Sequence, residues 1–365
     1  MRHVRHLLAG LVAGTLGAGL LVGTAAAPSS AGDTRRPDPS TSTLRELAKP
    51  DGLAVGTAVD MAALDSDATY RRLAGQQFSS VTPENVMKWE VVEPRQGEFD
   101  FSQADELVRF ARAHHQKVRG HTLVWHNQLP TWVTGRSWTR PELRAVLRRH
   151  IQSEVGHFRG RVWAWDVVNE AFNDDGTLRD TLWLKVLGPG YIADAFRWAH
   201  QADPKARLFY NDYNIEGVNA KSDAVYSLVR RLRSHGVQVQ GVGLQGHLGT
   251  QYALPNHVGA NMRRFGRLGV DTAVTEADVR SVLPVDDAEV QAQAQGYSLL
   301  MQSCLLEPRC VSFTVWGFTD KYQWVPQTFP GEGSAALWDA DYVAKPAYDA
   351  LRRDLALAHG RRGRR

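Results

Sequence analysis

Residues 162–172 read VWAWDVVNEAF, a short apolar run that stops abruptly at an amide and a carboxylate. The run from 162 to 168 shows no strict alternation of polar and apolar residues, which is typical of a strand buried on both faces of a parallel sheet. Asn169 and Glu170 follow at its carboxyl end. The stretch therefore predicts a buried strand that presents polar groups at one rim of a sheet.

Seven further stretches repeat this pattern, and segments with helical signals separate them. The eight predicted strands are 53–59, 79–81, 118–125, 162–168, 207–210, 242–245, 272–275 and 311–315. Eight strands alternating with helices over about 310 residues predict an α/β fold, a single-domain (β/α)8 TIM barrel with its active site at the carboxyl-terminal rim of the strands. A doubly wound sheet would need a glycine-rich phosphate loop after the first strand, and the sequence has none there.

Two of the intervening helices carry start signals. Thr139 and Glu142 form a capping box, and Pro141 stands in the first turn of the same helix. Ser102 is expected to cap an earlier helix, which carries Leu107 on its apolar face. Both signals support helices that follow the predicted strands.

Composition and charge exclude several classes of protein. The 365 residues are 43% hydrophobic and 22% charged, which is typical of a globular chain and excludes disorder, collagen and coiled coil as overall descriptions. The formal net charge of +4 comes from the ends, because removing Arg2, Arg5 and the four arginines after residue 360 leaves −2. A nucleic-acid partner is not expected, because such binders carry their basic residues on the folded surface.

The first 43 residues are predicted to precede the folded domain. Arg2 and Arg5, the uncharged stretch 7–27 and the A-x-A site at 25–27 predict a secretory signal peptide over residues 1–27. A retained anchor is the alternative, since 21 uncharged residues can span a bilayer, but five of them are glycines. Residues 28–43 predict a flexible linker, 44–357 the catalytic domain, and 358–365 a basic disordered tail.

The chain has two cysteines, Cys304 and Cys310, six positions apart. Export to an oxidising compartment favours a disulfide between them. Two buried thiols are the alternative. A metal site is disfavoured, because there are only two sulfurs and no histidine nearby.

Polar and aromatic residues gather where the predicted strands end. Besides Asn169 and Glu170, these residues are Glu84, Asn85, Lys88, His121, Trp125, Asn211, Tyr213, Gln245, His247, Glu276, Asp278, Trp316 and Trp324. In a barrel they all face one rim. Carboxylate pairs among aromatic rings are typical of glycoside hydrolysis, in which one carboxyl is the acid/base, the other is nucleophile or base, and the rings stack on sugars. Glu170 and Glu276, at the ends of the fourth and seventh strands, form the candidate pair.

Other interpretations of these residues stay open at this point. Glu170 and Glu276 are alternatively structural ion-pair partners. His121 and His247 are alternatively core histidines or metal ligands, although residues 54–60 lack the His-x-His pattern that often marks the first strand of a metal hydrolase barrel.

The motifs at the strand ends resemble those of the family 10 glycoside hydrolases of clan A, the endo-β-1,4-xylanases, in their secreted actinobacterial form. TPENVMKWE (82–90), GHTLVWH (120–126), WDVVNEAF (165–172), VTEADV (274–279) and WGFTDKYQW (316–324) occur in the family's order. The resemblance covers nearly the whole mature chain. It also includes a cysteine pair just before the last strand, which matches Cys304 and Cys310.

The resemblance implies a role for each candidate residue. Glu170 would be the acid/base and Glu276 the nucleophile of a retaining double displacement. His121, Trp125 and Asn169 would hold the sugar at the cleavage point, while Glu84, Asn85, Lys88 and Gln128 would bind the next sugar on the non-reducing side. Gln245, His247, Trp316 and Trp324 would complete the cleft, and Tyr213 would stack on the leaving side. Asn211 and Asp278 are expected to support the site, with Asp278 and His247 orienting Glu276.

The signal peptide predicts a secreted, extracellular enzyme with no membrane attachment after cleavage, and the resemblance implies that it acts on xylan and xylo-oligosaccharides. We expect a monomer with no cofactor, no metal and no nucleic-acid partner. A β-1,4-glucanase or cellulase of the same clan is one alternative, which rates on xylan and cellulose oligomers would separate. The other is a xylan-binding protein that has lost catalysis, and the presence of both Glu170 and Glu276 speaks against it.

Overall fold

Eight parallel strands close into a barrel in the computed structural model, which describes residues 41–358. The strands are β1 (Ala54–Val59), β2 (Ser80–Pro83), β3 (Lys117–Val124), β4 (Ala164–Asn169), β5 (Arg207–Asp212), β6 (Gly241–Leu244), β7 (His247–Gly249), β8 (Asp271–Val282), β9 (Cys310–Val315) and β10 (Glu332–Gly333). β1 to β6, β8 and β9 form the barrel, and β9 closes it by pairing with both β8 and β1. The predicted (β/α)8 fold is confirmed.

Helices fill the connections between the strands. They are α1 (Leu44–Ala48), α2 (Met61–Ser66), α3 (Ala68–Gln77), α4 (Trp89–Val92), α5 (Ser102–Ala113), α6 (Thr131–Thr134), α7 (Arg140–His157), α8 (Leu182–Leu187), α9 (Tyr191–Ala202), α10 (Ala220–Ser234), α11 (Val258–Arg267), α12 (Asp287–Leu306), α13 (Val325–Thr328) and α14 (Pro346–Ala358), with 3-10 turns at Lys49–Asp51 and Asp320–Tyr322. None of the helices within residues 41–358 is both long and apolar enough to cross a bilayer.

One helix start is as predicted and the other is shifted. The capping box of α7 is present, and the Thr139 N–H donates to Glu142 Oε2 at 2.9 Å. Ser102 is the first residue of α5 rather than its cap, because the Asp100 carboxylate accepts the Ser102 N–H at 2.9 Å and starts the helix there. Thr43, the last residue of the predicted linker, caps α1.

β8 is longer than the sequence indicates, which changes the setting of Glu276 and Asp278. Beyond the barrel, this strand pairs with β7 in parallel and with β10 in antiparallel orientation. These extra partners satisfy the backbone groups after Thr275, so the strand continues to Val282. The expectation that Glu276 ends the seventh strand is therefore wrong, since it lies within the strand.

A buried ion pair lies inside the barrel beneath the rim. Arg119 on β3 and Asp166 on β4 are each about 1% exposed, and Arg119 Nε donates to Asp166 Oδ2 at 3.0 Å. Gly120 is required next to this pair, because a Cβ there would lie 2.2 Å from the buried ring of Trp165. The close approach lets β3 and β4, which both carry site residues, pair regularly as far as His121 and Asp166, beyond which their register shifts.

The disulfide between Cys304 on α12 and Cys310 at the start of β9 is present, with the two Cα atoms 5.2 Å apart. The predicted signal peptide lies outside the described residues. So do residues 28–40 of the predicted linker and 359–365 of the predicted tail.

Candidate active site

One cleft at the carboxyl-terminal rim collects the candidate residues. Its volume is about 690 Å³. The predicted residues that line it are Glu84, Asn85, Lys88, His121, Trp125, Gln128, Asn169, Glu170, Tyr213, Gln245, His247, Glu276, Trp316 and Trp324. Asn211 and Asp278 are fully buried beneath it and contact the lining residues.

Glu170 directly follows β4 in a left-handed backbone conformation, with φ of 57°. Its backbone N–H donates to the Asn211 carbonyl at 2.9 Å, which fixes this turn against β5. Its carboxylate accepts hydrogen bonds from Trp125 Nε1 at 2.9 Å and from Gln245 Nε2 at 3.1 Å, with Asn169 Nδ2 at 3.3 Å. All three donors to the carboxylate are neutral, whereas the cationic Arg179 Nε donates to the backbone carbonyl of Glu170 at 3.0 Å.

Glu276 has a different environment. Only 5% of the residue is exposed, and its Oε1 accepts a hydrogen bond from Asn211 Nδ2 at 2.6 Å. Burial by itself raises the pKa of this carboxyl, but His121 and His247 outweigh burial and hold the pKa below its usual value. Glu276 is therefore a carboxylate at neutral pH.

His247 bridges Glu276 and Asp278. Its Nε2 lies 3.3 Å from Glu276 Oε2, and its Nδ1 lies 3.0 Å from Asp278 Oδ2. Burial lowers the pKa of His247, but the two carboxylates overcome that effect and raise the pKa to about 10. The imidazole is thus an imidazolium at neutral pH, and Trp324 Nε1 donates to Asp278 Oδ2 at 2.8 Å to complete the group.

The sequence did not predict that Asp166 and Arg119 form an ion pair that supports His121. Asp166 Oδ2 lies 3.1 Å from His121 Nδ1, and the same carboxylate pairs with Arg119. Burial raises the pKa of Asp166, but Arg119 and His121 outweigh it and lower the pKa. A charged residue within an otherwise apolar strand is the signal that marks Asp166 in the sequence.

A polar wall lies on the side of β2 and β3. Asn85 Oδ1 accepts hydrogen bonds from Lys88 Nζ at 3.1 Å and from Gln128 Nε2 at 3.2 Å, and the Lys88 ammonium lies 5.0 Å from the Trp125 ring centre. Burial, aided by the nearby Asp60 carboxylate, raises the pKa of Glu84 to about 7. The wall offers both donors and acceptors to hydroxyl groups.

Aromatic rings form much of the remaining walls, and two cations contact one of these rings. Tyr213 accepts a hydrogen bond from Arg179 at 2.7 Å, and Lys221 Nζ lies 3.4 Å from its ring centre. The Trp316 ring packs edge to face against the His121 ring, with 5.0 Å between ring centres. The Trp324 and His247 rings pack in the same way, with 5.1 Å between their centres. The lining residues that sequence reasoning missed are Asn127, Asn214, Arg280, Gln327, Thr328 and Phe329. Apart from Arg280 on β8, they stand in loops or the short α13, where no apolar run marks them.

Fold and site together define a class of protein, the carboxylate-dependent glycoside hydrolases built on a (β/α)8 barrel. Two glutamates with contrasting partners share one cleft between indole rings. The chain belongs to glycosyl hydrolase family 10, whose family model matches residues 43–354.

Curated relatives and solved structures agree with this assignment. Endo-1,4-beta-xylanase A of Fusarium oxysporum f. sp. lycopersici is 44% identical over 281 residues, 74% of this chain and 86% of its own. Endo-1,4-beta-xylanase B of Thermotoga neapolitana is 41% identical over 314 residues, 85% of this chain and 90% of its own. The crystal structure of xylanase 10B from Thermotoga petrophila in complex with xylobiose has a TM-score of 0.83 at 44% identity, covering 86% of this chain and 97% of that one.

Proposed function

We propose that this protein is a secreted endo-1,4-β-xylanase that cleaves internal bonds of xylan with retention of anomeric configuration. Glu276 is the nucleophile and Glu170 the acid/base. The observation that carries the proposal is the contrast between the two glutamates in one cleft. Histidines keep Glu276 ionised, whereas the Glu170 carboxyl group is held by the neutral donors Trp125 and Gln245. Divergent environments of this kind separate the two roles of a carboxylate pair.

The reaction proceeds in two displacements. A Glu276 oxygen attacks the anomeric carbon while Glu170 gives its proton to the glycosidic oxygen, so the C–O bond breaks and a glycosyl ester of Glu276 forms. Glu170, now a carboxylate, then takes a proton from water. The water oxygen attacks the same carbon and releases Glu276, which restores the original configuration.

The substrate class is supported by the relatives' names and by the cleft itself. Asn85, Lys88 and Gln128 form a hydrogen-bonded wall that suits sugar hydroxyls, and the faces of Trp316 and Trp324 suit pyranose rings. Xylose lacks the hydroxymethyl group of glucose, so large side chains can close the cleft where that group would project.

Replacing each glutamate tests the two roles. We expect Glu170→Ala to lower kcat on unactivated xylo-oligosaccharides by about 10²–10⁴-fold but to affect aryl xylobiosides with good leaving groups far less in the first step, because those need no proton. Glu276→Ala should abolish turnover of both substrates. NMR of the first-formed product anomer is the second measurement. Equal losses on both substrates for Glu170→Ala, or an inverted product, would contradict the assignment.

Export and domain limits belong to the same proposal. Residues 1–27 are proposed to be removed as a signal peptide, leaving the linker 28–43, the catalytic domain 44–357 and the basic tail 358–365 of a monomeric enzyme. Expression of the full chain, followed by N-terminal sequencing and sedimentation of the protein in the medium, tests this. A cell-bound protein that begins at Met1 would contradict it.

A further inference from the structure

We propose that His150, a buried residue of α7 outside the cleft, is a positioning residue for the acid/base Glu170. It acts through the indole rings of Trp89 and Trp183 on the segment that carries Trp125. The proposal rests on the proposed function, because it assumes that Glu170 must be held in place to deliver a proton.

The surroundings of His150 are unlike those of an ordinary core residue. The side chain is completely buried, and its ring lies parallel to the Trp89 indole with 3.7 Å between ring centres and an interplanar angle of 4°. Its nitrogens lie 3.7 Å from Glu93 Oε2 and 3.4 Å from Glu154 Oε2. Burying three ionisable side chains costs more than burying apolar residues of the same size, so packing alone does not account for this group.

The charge states of His150, Glu93 and Glu154 determine how the Trp89 ring is held. Burial raises the pKa of Glu154 well above its usual value and lowers the pKa of His150. Burial also acts on Glu93, but His150, the Gly97 N–H and Arg149 outweigh it and lower that pKa. Glu93 is therefore ionised, and its Oε2 accepts the Trp89 Nε1–H at 2.9 Å. The indole is held at its edge by a carboxylate and at its face by the imidazole.

A continuous series of contacts leads from Trp89 to the cleft. The Trp89 and Trp183 rings are nearly parallel, with 5.4 Å between ring centres and an interplanar angle of 7°. Trp183 Nε1 donates to the backbone carbonyl of Trp125 at 2.7 Å, just beyond the end of β3. Trp125 Nε1 in turn donates to Glu170 Oε2 at 2.9 Å. Each step is a stacked ring pair or a short hydrogen bond, so a displacement of Trp89 is passed on to the acid/base.

The function of this arrangement is to keep the Trp125 indole at one place on Glu170. Trp125 is only partly buried, and the Trp183 hydrogen bond restrains its backbone. A displacement of about 1 Å in a reacting group can lower a rate by about 100-fold. Loosening the series should therefore impair proton delivery more than substrate binding.

The test uses Trp183→Phe, which removes the N–H but keeps a ring, together with His150→Ala and His150→Phe. For Trp183→Phe and His150→Ala we expect kcat to fall by about tenfold on an unactivated xylo-oligosaccharide. On an aryl xylobioside with a good leaving group it should fall by less than about twofold, with KM within about twofold. His150→Phe, which retains a stacking ring, should recover most of the lost rate. Met262→Ala, at a fully buried position on α11, is the matched control for a core defect.

The outcomes are decisive in both directions. Equal losses on the two substrates, a change confined to KM, or the same substrate split in Met262→Ala would overturn the proposal. If His150→Ala fails to fold, His150→Gln, which removes the stacking ring but keeps a polar side chain of similar size, is measured in its place, and the absence of a substrate split in it would overturn the proposal. Failure of the proposed function is distinguishable, because the wild type would then not cleave xylo-oligosaccharides or Glu170→Ala would show no substrate split.

Discussion

At the scale of single residues, a few atoms decide what two identical side chains do. Glu276 lies among two histidines and an asparagine, whereas Glu170 receives bonds from indole and amide groups. The sequence predicted 14 of the 20 lining residues, both glutamates among them, because polar residues at strand ends stand out against apolar runs. It did not predict the ion pair beneath His121, since its importance depends on side-chain geometry inside the barrel.

The pH dependence of stability tests the state of His247. The folded protein raises its pKa from the ordinary 6.5 to about 10, so the folded state holds this proton more strongly than the unfolded state. The resulting stabilisation is complete below about pH 6.5 and is lost as pH rises toward 10. The wild type should therefore lose its advantage over His247→Asn as pH rises. In urea unfolding, the difference between their free energies of unfolding should decrease by about 1–3 kcal/mol between pH 7 and pH 10. A constant difference over that range would refute the raised pKa.

Trp324 is expected to favour xylose over glucose. Trimming it to Ala should weaken xylan turnover through lost stacking and reduce the xyloside-to-glucoside ratio by about tenfold. Trp324 also donates to Asp278, so Trp324→Phe is the matched control, because it loses that hydrogen bond and keeps most of the ring. If Trp324→Ala kept the full ratio of kcat/KM values, selection would lie instead with the Asn85 and Gln128 amides.

At the scale of secondary structure elements, apolar runs predicted all eight barrel strands to within a few residues, except for the far end of β8. That strand extends because β7 and β10 pair with it outside the barrel, and such short partners leave no periodic signal. The start of α5 was shifted by one residue because an Asx turn at Asp100 competes with Ser102 as the cap. Both differences arise from local hydrogen bonding that hydrophobic patterns do not report.

The disulfide stabilises the connection between α12 and β9. Cys304 and Cys310 close a short loop between α12 and β9, with a sequence separation of 6. The chain-entropy model gives about 2 kcal/mol for so short a loop. The Cys304→Ala/Cys310→Ala variant should lose about that free energy of unfolding in urea, while kcat stays within about twofold of wild type. In a reducing buffer the stability difference should disappear, and a large loss of kcat would contradict a purely structural role.

At the scale of the whole molecule, barrel closure brings together segments from opposite ends of the chain. Asp67, just before α3, accepts hydrogen bonds from Lys321 Nζ at 2.8 Å, Tyr342 OH at 2.7 Å and Tyr322 OH at 3.0 Å. Its other oxygen caps α3 by accepting the Tyr70 N–H. No local pattern predicts contacts across more than 250 positions in sequence, although the barrel prediction requires that the first and last strands meet.

Asp67 therefore connects barrel closure to the cleft, because Lys321 and Tyr322 belong to the segment that carries Trp324. The Lys321 hydrogen bond, followed by those of Tyr342 and Tyr70, lowers the pKa of Asp67, so this carboxylate stays ionised in acid.

Asp67→Ala removes both the cap and the contact between segments. We expect it to lower Tm by about 3–6 °C. It should also raise KM for xylo-oligosaccharides by about threefold, since Trp324 is less well held. Asp65→Ala, an exposed aspartate on the neighbouring α2 whose contact to Arg71 is 3.8 Å long, is the control and should change neither quantity. If the two variants behaved alike in thermal unfolding and steady-state kinetics, the closure contact would have no bearing on the cleft.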